Sequence, residues 1–329
     1  MRIPLPSALL QFSNWSRSRT RTALSICVDE SSVRWVCGRV ATRGGVYRFE
    51  SIHASGRESM ALALQTAEGD LNGELMTTLL RRVIGSLGQA TPKPEGVVIG
   101  LPDNWVYFGE IQTRQDDSEQ SIRFQIEDLL DTVVGDAAVS MAYDWQTKAM
   151  LNDGSMSLAV AGIDQRYIAQ VQQACKQLKL ECFGVTANTL AGLNGYLQTL
   201  RDQADAADGT ILLHGQLWAH RIALRVYSEG LLLHESADAS EEGFSAVQAV
   251  SAMEKLVSIW SRDHAASDAL PPRLILGGEL MASKGVEVIV RRSAVLSALW
   301  VNSPPRRELQ AHWHEDVMPF GALEALPCA

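Results

Sequence analysis

The sequence lacks the features that mark several large protein classes. No apolar run approaches the roughly 18 residues that a membrane-spanning helix needs, so we expect no membrane span. The 5 cysteines form no Cys-x-x-Cys pair and have no histidine at zinc-ligand spacing, which argues against a zinc site and a disulfide framework. No Gly-x-Ser-x-Gly motif is present and no cysteine stands beside a plausible catalytic histidine, so the familiar nucleophilic hydrolases are a poor match.

Positive charge is also scarce. The 329 residues contain 29 Lys and Arg against 38 Asp and Glu, a net charge of −9, which argues against a general nucleic-acid-binding protein. Residues 1–21 are the exception, because they contain four arginines and no acidic residue: Arg2, Arg17, Arg19 and Arg21. Apolar residues precede the last three arginines, so this basic arm is predicted to lie at an anionic membrane surface, with a disordered polar leader as the alternative.

From Thr22 onward the sequence alternates between strand and helix patterns, which indicates an α/β protein. Residues 23–28, 33–40 and 46–52 predict a three-stranded meander, and a helical stripe follows at 73–87. A helix is predicted to begin at Ser118 and to bury one stripe of side chains: Ile122, Ile126, Leu129 and Leu130. A second sheet is predicted after an acidic linker at 202–209, with strands at 210–215, 221–227, 231–236, 271–280 and 286–290. Further helices are predicted at 165–179, 243–260 and 319–326.

Four segments resemble the PilM/MshI-type pilus assembly proteins of the actin-like ATPase superfamily. LSICVDESSVRWV (24–36) is similar to that family's L-G-I-D-I-G-S-S-S-V-K-x-V, and 120–145 resembles its A-I-R-W-E-x-E-x-x-I-P segment. Residues 161–196 and 315–326 resemble later segments in the same order. The resemblance implies a two-lobed actin-like (ribonuclease-H-like) fold, with a β-β-α-β-β-α subdomain inserted in the first lobe and a reduced second lobe. It divides the chain into five parts: a basic arm (1–21), lobe 1 (22–93), the insert (94–181), a return to lobe 1 (182–206) and lobe 2 (207–329).

The same resemblance implies a function. Such a protein would be a cytoplasmic scaffold of a type IV (MSHA-like) pilus assembly platform, peripheral at the inner membrane. It would bind the cytoplasmic tail of a PilN/MshJ-like single-pass inner-membrane protein, and self-association is a further expectation. The alternatives are a divergent ATPase of the same fold, and a separate cytoplasmic module of a type II secretion L-type protein.

The nucleotide motifs of this family are degenerate here. Where the family has the aspartate that holds Mg²⁺, the sequence has Cys27, and Asp29 and Glu30 stand where glycine and serine are expected. At a distance of about 4 Å and an effective dielectric constant of about 20, each carboxylate would raise the energy of a bound phosphate charge by about 4 kcal/mol. Ser31 and Ser32 match the pattern. The resemblance therefore predicts a pseudo-ATPase without a cofactor, and the alternative is an MgATP site in which Asp29 holds the metal.

The second lobe retains only glycines of the nucleotide motifs. Its phosphate hairpin has Gly215, but Leu213 replaces the acidic residue, and the neighbouring His214 is predicted to be a surface histidine rather than a base. The adenosine turn is best matched by Gly277 and Gly278 after an apolar strand.

Three residues are candidates for binding a protein partner. Arg123 and Phe124 lie off the apolar stripe of the Ser118 helix, where an exposed aromatic beside an arginine resembles an interface anchor. A partly buried second helix face is the alternative. Trp105 stands on the strand before that helix, where the core, the sheet surface and a groove lining are the three alternatives. His312 and His314 flank Trp313, but their spacing does not favour a metal site.

Overall fold

The computed structural model describes residues 10–11, 20–28, 32–43, 46–59, 64, 71–102, 105–135, 140–151, 154–188, 190–192, 195, 211–228, 231–263, 272–301 and 322–323. They belong to two units, which are described separately. The first unit comprises the described residues of Leu5–Gly195 and Met318–Ala329, and the second those of Tyr196–Val317. The predicted linker at 202–209 lies outside the described residues.

A six-stranded sheet forms the centre of the first unit. In chain order its strands and those of a smaller sheet are β1 (Leu10–Gln11), β2 (Arg21–Val28), β3 (Ser32–Arg43), β4 (Val46–Ser59), β5 (Gly96–Leu101), β6 (Val106–Arg114), β7 (Met141–Met150), β8 (Ser155–Asp164) and β9 (Glu181–Ala187). The larger sheet has the order β1-β9-β5-β2-β3-β4. β2, β3 and β4 form the predicted antiparallel meander, and β5 lies parallel to both β2 and β9. Every residue of β5 is buried, as expected of a central parallel strand that is covered on both faces.

Two helices pack on this sheet and on each other. They are α1 (Gly73–Ser86) and α3 (Gln165–Gln177), and the helix between them in sequence is α2 (Glu119–Val134). The side chain of Asn72 caps α1 by accepting hydrogen bonds from two backbone N–H groups, and Asp164 caps α3 by accepting one from the Arg166 N–H. Both helices bury apolar stripes in one core with β2 and β5.

The smaller sheet has the order β6-β8-β7 and is covered on one face by α2. We call residues 105–164, which contain β6, α2, β7, β8 and the residues between them, the three-stranded body. Ile122, Ile126 and Leu130 of α2 pack against Leu158 and Val160 of β8. The predicted element order of the insert is present, but β5 belongs to the six-stranded sheet and α3 packs on α1. The separate body is therefore smaller than the predicted 94–181 subdomain, because β5 is completed by parallel pairing with β2 and β9.

The second unit contains a four-stranded sheet of order β12-β11-β10-β13. Its strands are β10 (Ile211–Leu217), β11 (Arg221–Ser228), β12 (Leu231–Ala239) and β13 (Arg273–Gly277), and its α-helices are α4 (Ala246–Asp263), α5 (Lys284–Arg292) and α6 (Ala294–Leu299). α4 lies on one face of the sheet and buries six side chains: Ala249, Val250, Met253, Leu256, Val257 and Trp260.

The prediction of a strand at 286–290 was wrong, since these residues lie within α5. The alternating valines suggested a strand, but Val286 and Val290 are buried one helical turn apart while Val288 is 46% exposed. Glu287 and Arg291 form an i,i+4 ion pair of 2.8 Å that only a helix allows. Packing against α4 thus overrides the β-propensity of valine.

Both ends of the chain are described only in part. In the basic arm, β1 pairs antiparallel with β9, and Arg21 forms a 2.6 Å ion pair with Glu181. Near the other end, residues 322–323 are helical and buried, and the rest of the helix predicted at 319–326 lies outside the described residues. Within the described part of the chain, no helix has the length and apolar character needed to span a membrane.

Candidate functional site

The first nucleotide hairpin joins β2 to β3. Asp29 and Ser31 lie outside the described residues, and Ser32 is a buried residue at the start of β3, paired with Ser59 of β4. Cys27, which stands where the family has its metal-binding aspartate, is buried near the end of β2 with 2% exposure.

The surroundings of Cys27 are filled by protein atoms. Gly100 of β5 is its register partner, and a Cβ added there would lie 2.7 Å from the Cys27 Sγ and 2.6 Å from the Asn188 Oδ1. The Asn188 Nδ2 donates a 2.5 Å hydrogen bond to the Val28 carbonyl oxygen. A thiol is a poor ligand for Mg²⁺, which prefers oxygen donors. The arrangement is suited to packing three elements together, and it offers no carboxylate at Cys27.

Asn188 was not singled out from the sequence. It directly follows β9 at the start of a helical segment, a position where a short polar side chain commonly bonds to the backbone. Here its amide reaches another strand 160 positions away in sequence, and sequence spacing could not reveal that contact.

In the second unit, Gly215 lies in the middle of β10 and faces α4. A Cβ at this position would lie 2.6 Å from the Leu276 Cδ2 and 2.9 Å from the Met253 Sδ. Leu213, which replaces the acidic residue of the phosphate hairpin, belongs to the same apolar core. Helix packing therefore accounts for Gly215 without a phosphate.

Gly277 and Gly278 end β13 and lead into a short 3₁₀-helix. Gly277 is the register partner of Gln216, and Gly278 has φ +102°, a conformation that favours glycine. A Cβ at Gly278 would collide with the backbone of Leu217. The turn itself thus requires this glycine. Of the predicted nucleotide residues, the structure brings Gly215, Gly277 and Gly278 together in the second unit, whereas Ser32 lies in the first.

The prediction that His214 lies on the surface was wrong, because its side chain is 1% exposed. It sits opposite Arg225 on the sheet face away from α4. Burial and then the positive charge of Arg225 lower the pKa of His214 to about 3, so the imidazole is neutral at pH 7. Arg225 donates to the Gln216 Oε1 at 2.8 Å and pairs with the Glu235 Oε1 at 2.8 Å. His214, Gln216 and Arg225 thus form a buried polar layer on this face of the sheet, and the exposed Glu235 of the end strand β12 pairs with it.

Among the described residues, no group of three or more His, Cys, Asp or Glu side chains could hold a metal ion. His312 and His314 lie outside the described residues.

The three predicted partner-binding residues do not form one site. Trp105 is half-buried and packs edge-to-face on Tyr167 of α3, with ring centroids 5.4 Å apart. Arg123 pairs with Glu119 at 2.8 Å and lies over the Trp145 ring of β7, 5.1 Å from its centroid. Phe124 projects from α2 with 71% exposure.

Phe124 borders an open groove of about 380 Å³ between α2 and β6. Ile111 and Gln112 of β6 line one side, and Phe124, Asp128 and Leu129 of α2 line the other. Leu129 had been predicted to face the core with Ile122, but it is only half-buried and contributes to the groove. The α2 stripe is narrower than predicted because a three-stranded sheet covers only part of the helix.

The turn before α2 is organised by a single carboxylate. Asp117 accepts hydrogen bonds from the Thr113 hydroxyl, from the Arg114 N–H at 3.0 Å and from the Gln125 side chain at 3.2 Å. The Thr113 hydrogen bond and then the Arg114 hydrogen bond lower the pKa of Asp117 below its ordinary value. These contacts hold the end of β6 against the first turns of α2 and so fix one end of the groove.

The three-stranded body carries almost all of the net charge. Residues 105–164 contain eleven acidic and three basic residues, a net charge of −8, which leaves −1 for the rest of the chain. Residue counts alone could have revealed this, but only the structure shows that the segment is a separate sheet-and-helix body. Its surface is therefore strongly acidic beside an exposed aromatic ring.

Comparison with protein-family models found no match, and comparison with curated protein sequences found none either. Solved structures do match. The structure of a PilM-PilN type IV pilus biogenesis complex has a TM-score of 0.66 with 14% sequence identity, covering 94% of this chain and 99% of that one. A Bacteroides thetaiotaomicron protein with an actin-like ATPase fold has a TM-score of 0.46 with 12% identity, covering 88% and 95%. The cytoplasmic domain of EpsL, an inner-membrane component of the Vibrio cholerae type II secretion system, has a TM-score of 0.43 with 10% identity, covering 78% and 82%.

The likeness to the PilM-PilN complex, with its TM-score of 0.66, establishes the fold. The chain has the mixed α/β architecture of the actin-like ATPase fold, and the predicted fold class is confirmed. At this level of sequence identity the likeness shows the fold alone, because one fold hosts many functions.

Proposed function

We propose that this protein is a cytoplasmic scaffold of a type IV pilus assembly platform, where it binds the cytoplasmic tail of a PilN-like single-pass inner-membrane protein. The observation that carries the proposal is the likeness to the PilM-PilN complex, which extends over 94% of this chain. The chain departs from its family's nucleotide pattern while keeping an exposed acidic and aromatic body. A binding role accounts for both features.

The absence of ATP hydrolysis is part of the proposal. Cys27 is a buried thiol packed against Gly100 and Asn188, and Leu213 belongs to the α4 core. Neither position supplies the carboxylate that would hold Mg²⁺ and its water. The residues at these two places are accounted for by packing alone.

A nucleotide test separates this scaffold from the divergent ATPase. Ligand at about 100 times its dissociation constant adds about 2.7 kcal/mol of stability, which would raise the melting midpoint by a few degrees. We expect millimolar MgATP to leave the melt unchanged. A clear increase that Asp29→Ala abolishes would favour the ATPase, with Asp29 as the metal ligand and the Gly277–Gly278 turn at the adenosine.

The basic arm is proposed to hold the protein at the inner membrane. Arg2, Arg17 and Arg19 would face anionic lipid, each contributing about 1 kcal/mol. Arg21 would contribute less, because it pairs with Glu181 at 2.6 Å. Deleting residues 1–19, which keeps β2 whole, should reduce binding to vesicles that contain phosphatidylglycerol. Unchanged vesicle binding would contradict the membrane role of the arm.

Partner binding is proposed on the three-stranded body. Phe124 is the anchor because it is the most exposed large hydrophobic side chain among the described residues. Arg123, the preceding residue, would contribute a second contact to the partner. Trp105 would contribute indirectly, by packing on Tyr167 of α3.

The decisive experiment titrates this protein into a fluorescein-labelled peptide that carries the cytoplasmic tail of the PilN-like protein from the same cell. We expect saturable binding, weakened by Phe124→Ser and unchanged by Val247→Ser, which removes an exposed side chain of α4 in the second unit. Absence of binding would refute the proposed partner. The MshJ-like and type II secretion alternatives are tested by replacing the peptide with the tail of the corresponding protein.

A further inference from the structure

We propose that the groove between α2 and β6 binds a cationic, amphipathic segment of a partner protein. The inference rests on the proposed function for the identity of the partner, but the chemistry of the occupant is argued from the groove itself. Three observations carry it: exposed apolar side chains, a sheet edge along the groove, and concentrated negative charge.

The apolar component is concentrated on this body. Seven large hydrophobic side chains are exposed among the described residues, and four of them belong to the three-stranded body: Phe108, Phe124, Val133 and Leu151. Phe124 lies at the groove with 71% exposure, and Ile111 and Leu129 line the groove below it. Burying these surfaces against an apolar side chain of a partner is favourable.

The second observation is that the groove lies along the outer edge of β6, as the β6 residues that line it indicate. Ile111 and Gln112 are consecutive, and consecutive side chains of a strand point to opposite faces of the sheet. Ile111 packs against the core beneath α2 whereas Gln112 is exposed, so we assign the groove that both line to the outer edge of the strand. In the described part of the chain β6 is an end strand, paired with β8 on one side. Such an edge presents backbone groups to which an extended segment can add as a further strand.

The charge component selects a cationic occupant. Asp128 lines the groove, and the body around it has a net charge of −8. Glu119 pairs with Arg123, and Glu127 accepts a hydrogen bond from the Tyr143 hydroxyl. Asp128 is the α2 carboxylate that lines the groove, which places it to meet a partner's lysine or arginine. The same charge repels nucleic acid and anionic lipid. Membrane-proximal cytoplasmic segments are rich in lysine and arginine, so a membrane protein's tail has the required sign.

The test uses a short fluorescein-labelled peptide in which leucine and lysine alternate, so that one edge-added strand would present leucine to one face and lysine to the other. We expect it to bind in fluorescence anisotropy. Phe124→Ser and Asp128→Lys should each weaken binding about tenfold, the effect of removing an interface anchor. A peptide with glutamate in place of lysine should not bind.

Matched controls distinguish the groove from general charge attraction. Val247→Ser and Glu242→Lys make the same kinds of change at exposed positions of the second unit. Both should bind the leucine–lysine peptide like the unaltered protein, and a melt of each variant verifies folding. Equal losses in the control and groove variants would overturn the inference, as would equal binding of the glutamate peptide.

The PilN-like tail then separates this inference from the proposed function. If the tail binds and neither groove variant weakens it, the groove inference fails while the scaffold role stands. If the leucine–lysine peptide binds at the groove and the tail does not bind, the partner is wrong and the groove chemistry stands.

Discussion

The six-stranded sheet and the three-stranded body belong to the same unit but use their residues differently. β5 is buried along its whole length, whereas β6 alternates between more buried and more exposed positions. A strand covered on both faces has no position that is free for a ligand, while a sheet with a helix on one face keeps its other face and its edges for a partner. We therefore expect partners of this chain at the three-stranded body rather than at the buried strands of the six-stranded sheet.

Charge follows the same division. The three-stranded body holds a net charge of −8 within 105–164, and the rest of the chain is close to neutral. Near Cys27 the sheet is closely packed: a Cβ on Gly100 would lie within 2.7 Å of both the Cys27 Sγ and the Asn188 Oδ1. Packing decides the residues in the first region, and surface chemistry decides them in the second.

Truncating a side chain should affect the two regions very differently. Ile99→Ala in β5 should lower the free energy of unfolding by about 2–5 kcal/mol, because Ile99 is fully buried and its removal leaves a cavity. Phe124→Ala in α2 should change it by less than about 0.5 kcal/mol. Urea unfolding of both variants checks this. A large loss for Phe124→Ala would mean that this ring belongs to the core.

The four-stranded sheet of the second unit differs from both regions, because it buries polar side chains, among them His214. His214 has a pKa lowered from 6.5 to about 3, so the unfolded chain binds a proton between these pH values and the folded chain does not. Stability should therefore decrease as the pH falls from about 6.5 towards 3, by up to about 1.4 kcal/mol per pH unit. His214→Gln should reduce this slope when unfolding is measured across that range. The exposed His220→Gln is the control, and an unchanged slope in His214→Gln would contradict the assignment.

Removing the N-terminal cap of α2 tests whether the three-stranded body unfolds locally, independently of the six-stranded sheet and α1. The Ser118 hydroxyl accepts a hydrogen bond from the Ser121 N–H at 3.2 Å, and Ser118→Ala should cost about 1 kcal/mol. We expect faster hydrogen exchange of the α2 amides with unchanged exchange in α1. Gln120→Ala, an exposed change in the same turn, is the control. Equal acceleration in α1 would show that the two regions unfold together.

The smallest effect concerns the turn at Asp117. Its carboxylate is stabilised by the Thr113 hydroxyl and the Arg114 N–H, so its pKa is lowered. The resulting stabilisation is present above the ordinary value of about 3.9 and is lost as the pH falls through the lowered value. Thr113→Val should raise the pKa of Asp117, measured from the carboxyl carbon shift by NMR. Thr132→Val, at an exposed hydroxyl of α2, should leave it unchanged, and no change in either variant would contradict the assignment.

Much of the fold could be predicted from sequence because its local signals agree with its packing. The β2–β3–β4 meander and the Ser118 helix follow from apolar periodicity and a capping residue. Periodicity failed at 286–290, where valine alternation suggested a strand but packing on α4 requires a helix. It also failed at His214, whose burial depends on which face of β10 is covered.

The candidate site was less predictable. Phe124 could be selected as an exposed aromatic on a helix, but its neighbours Ile111 and Gln112 come from a strand whose distance from α2 no sequence spacing specifies. Trp105 was also a candidate from the sequence, and contact with Tyr167 of α3 leaves it half-buried against the core.

The α/β pattern and the charge of the 105–164 segment depend on local periodicity and composition, which can be read along the chain. The missing carboxylate at Cys27 followed from the resemblance to a family pattern. Tertiary structure alone decided that Gly100 and Asn188 enclose Cys27 and that α2 and the edge of β6 form a groove. The physical reason is that such contacts join residues far apart in sequence, and close packing of particular side chains selects which of them meet.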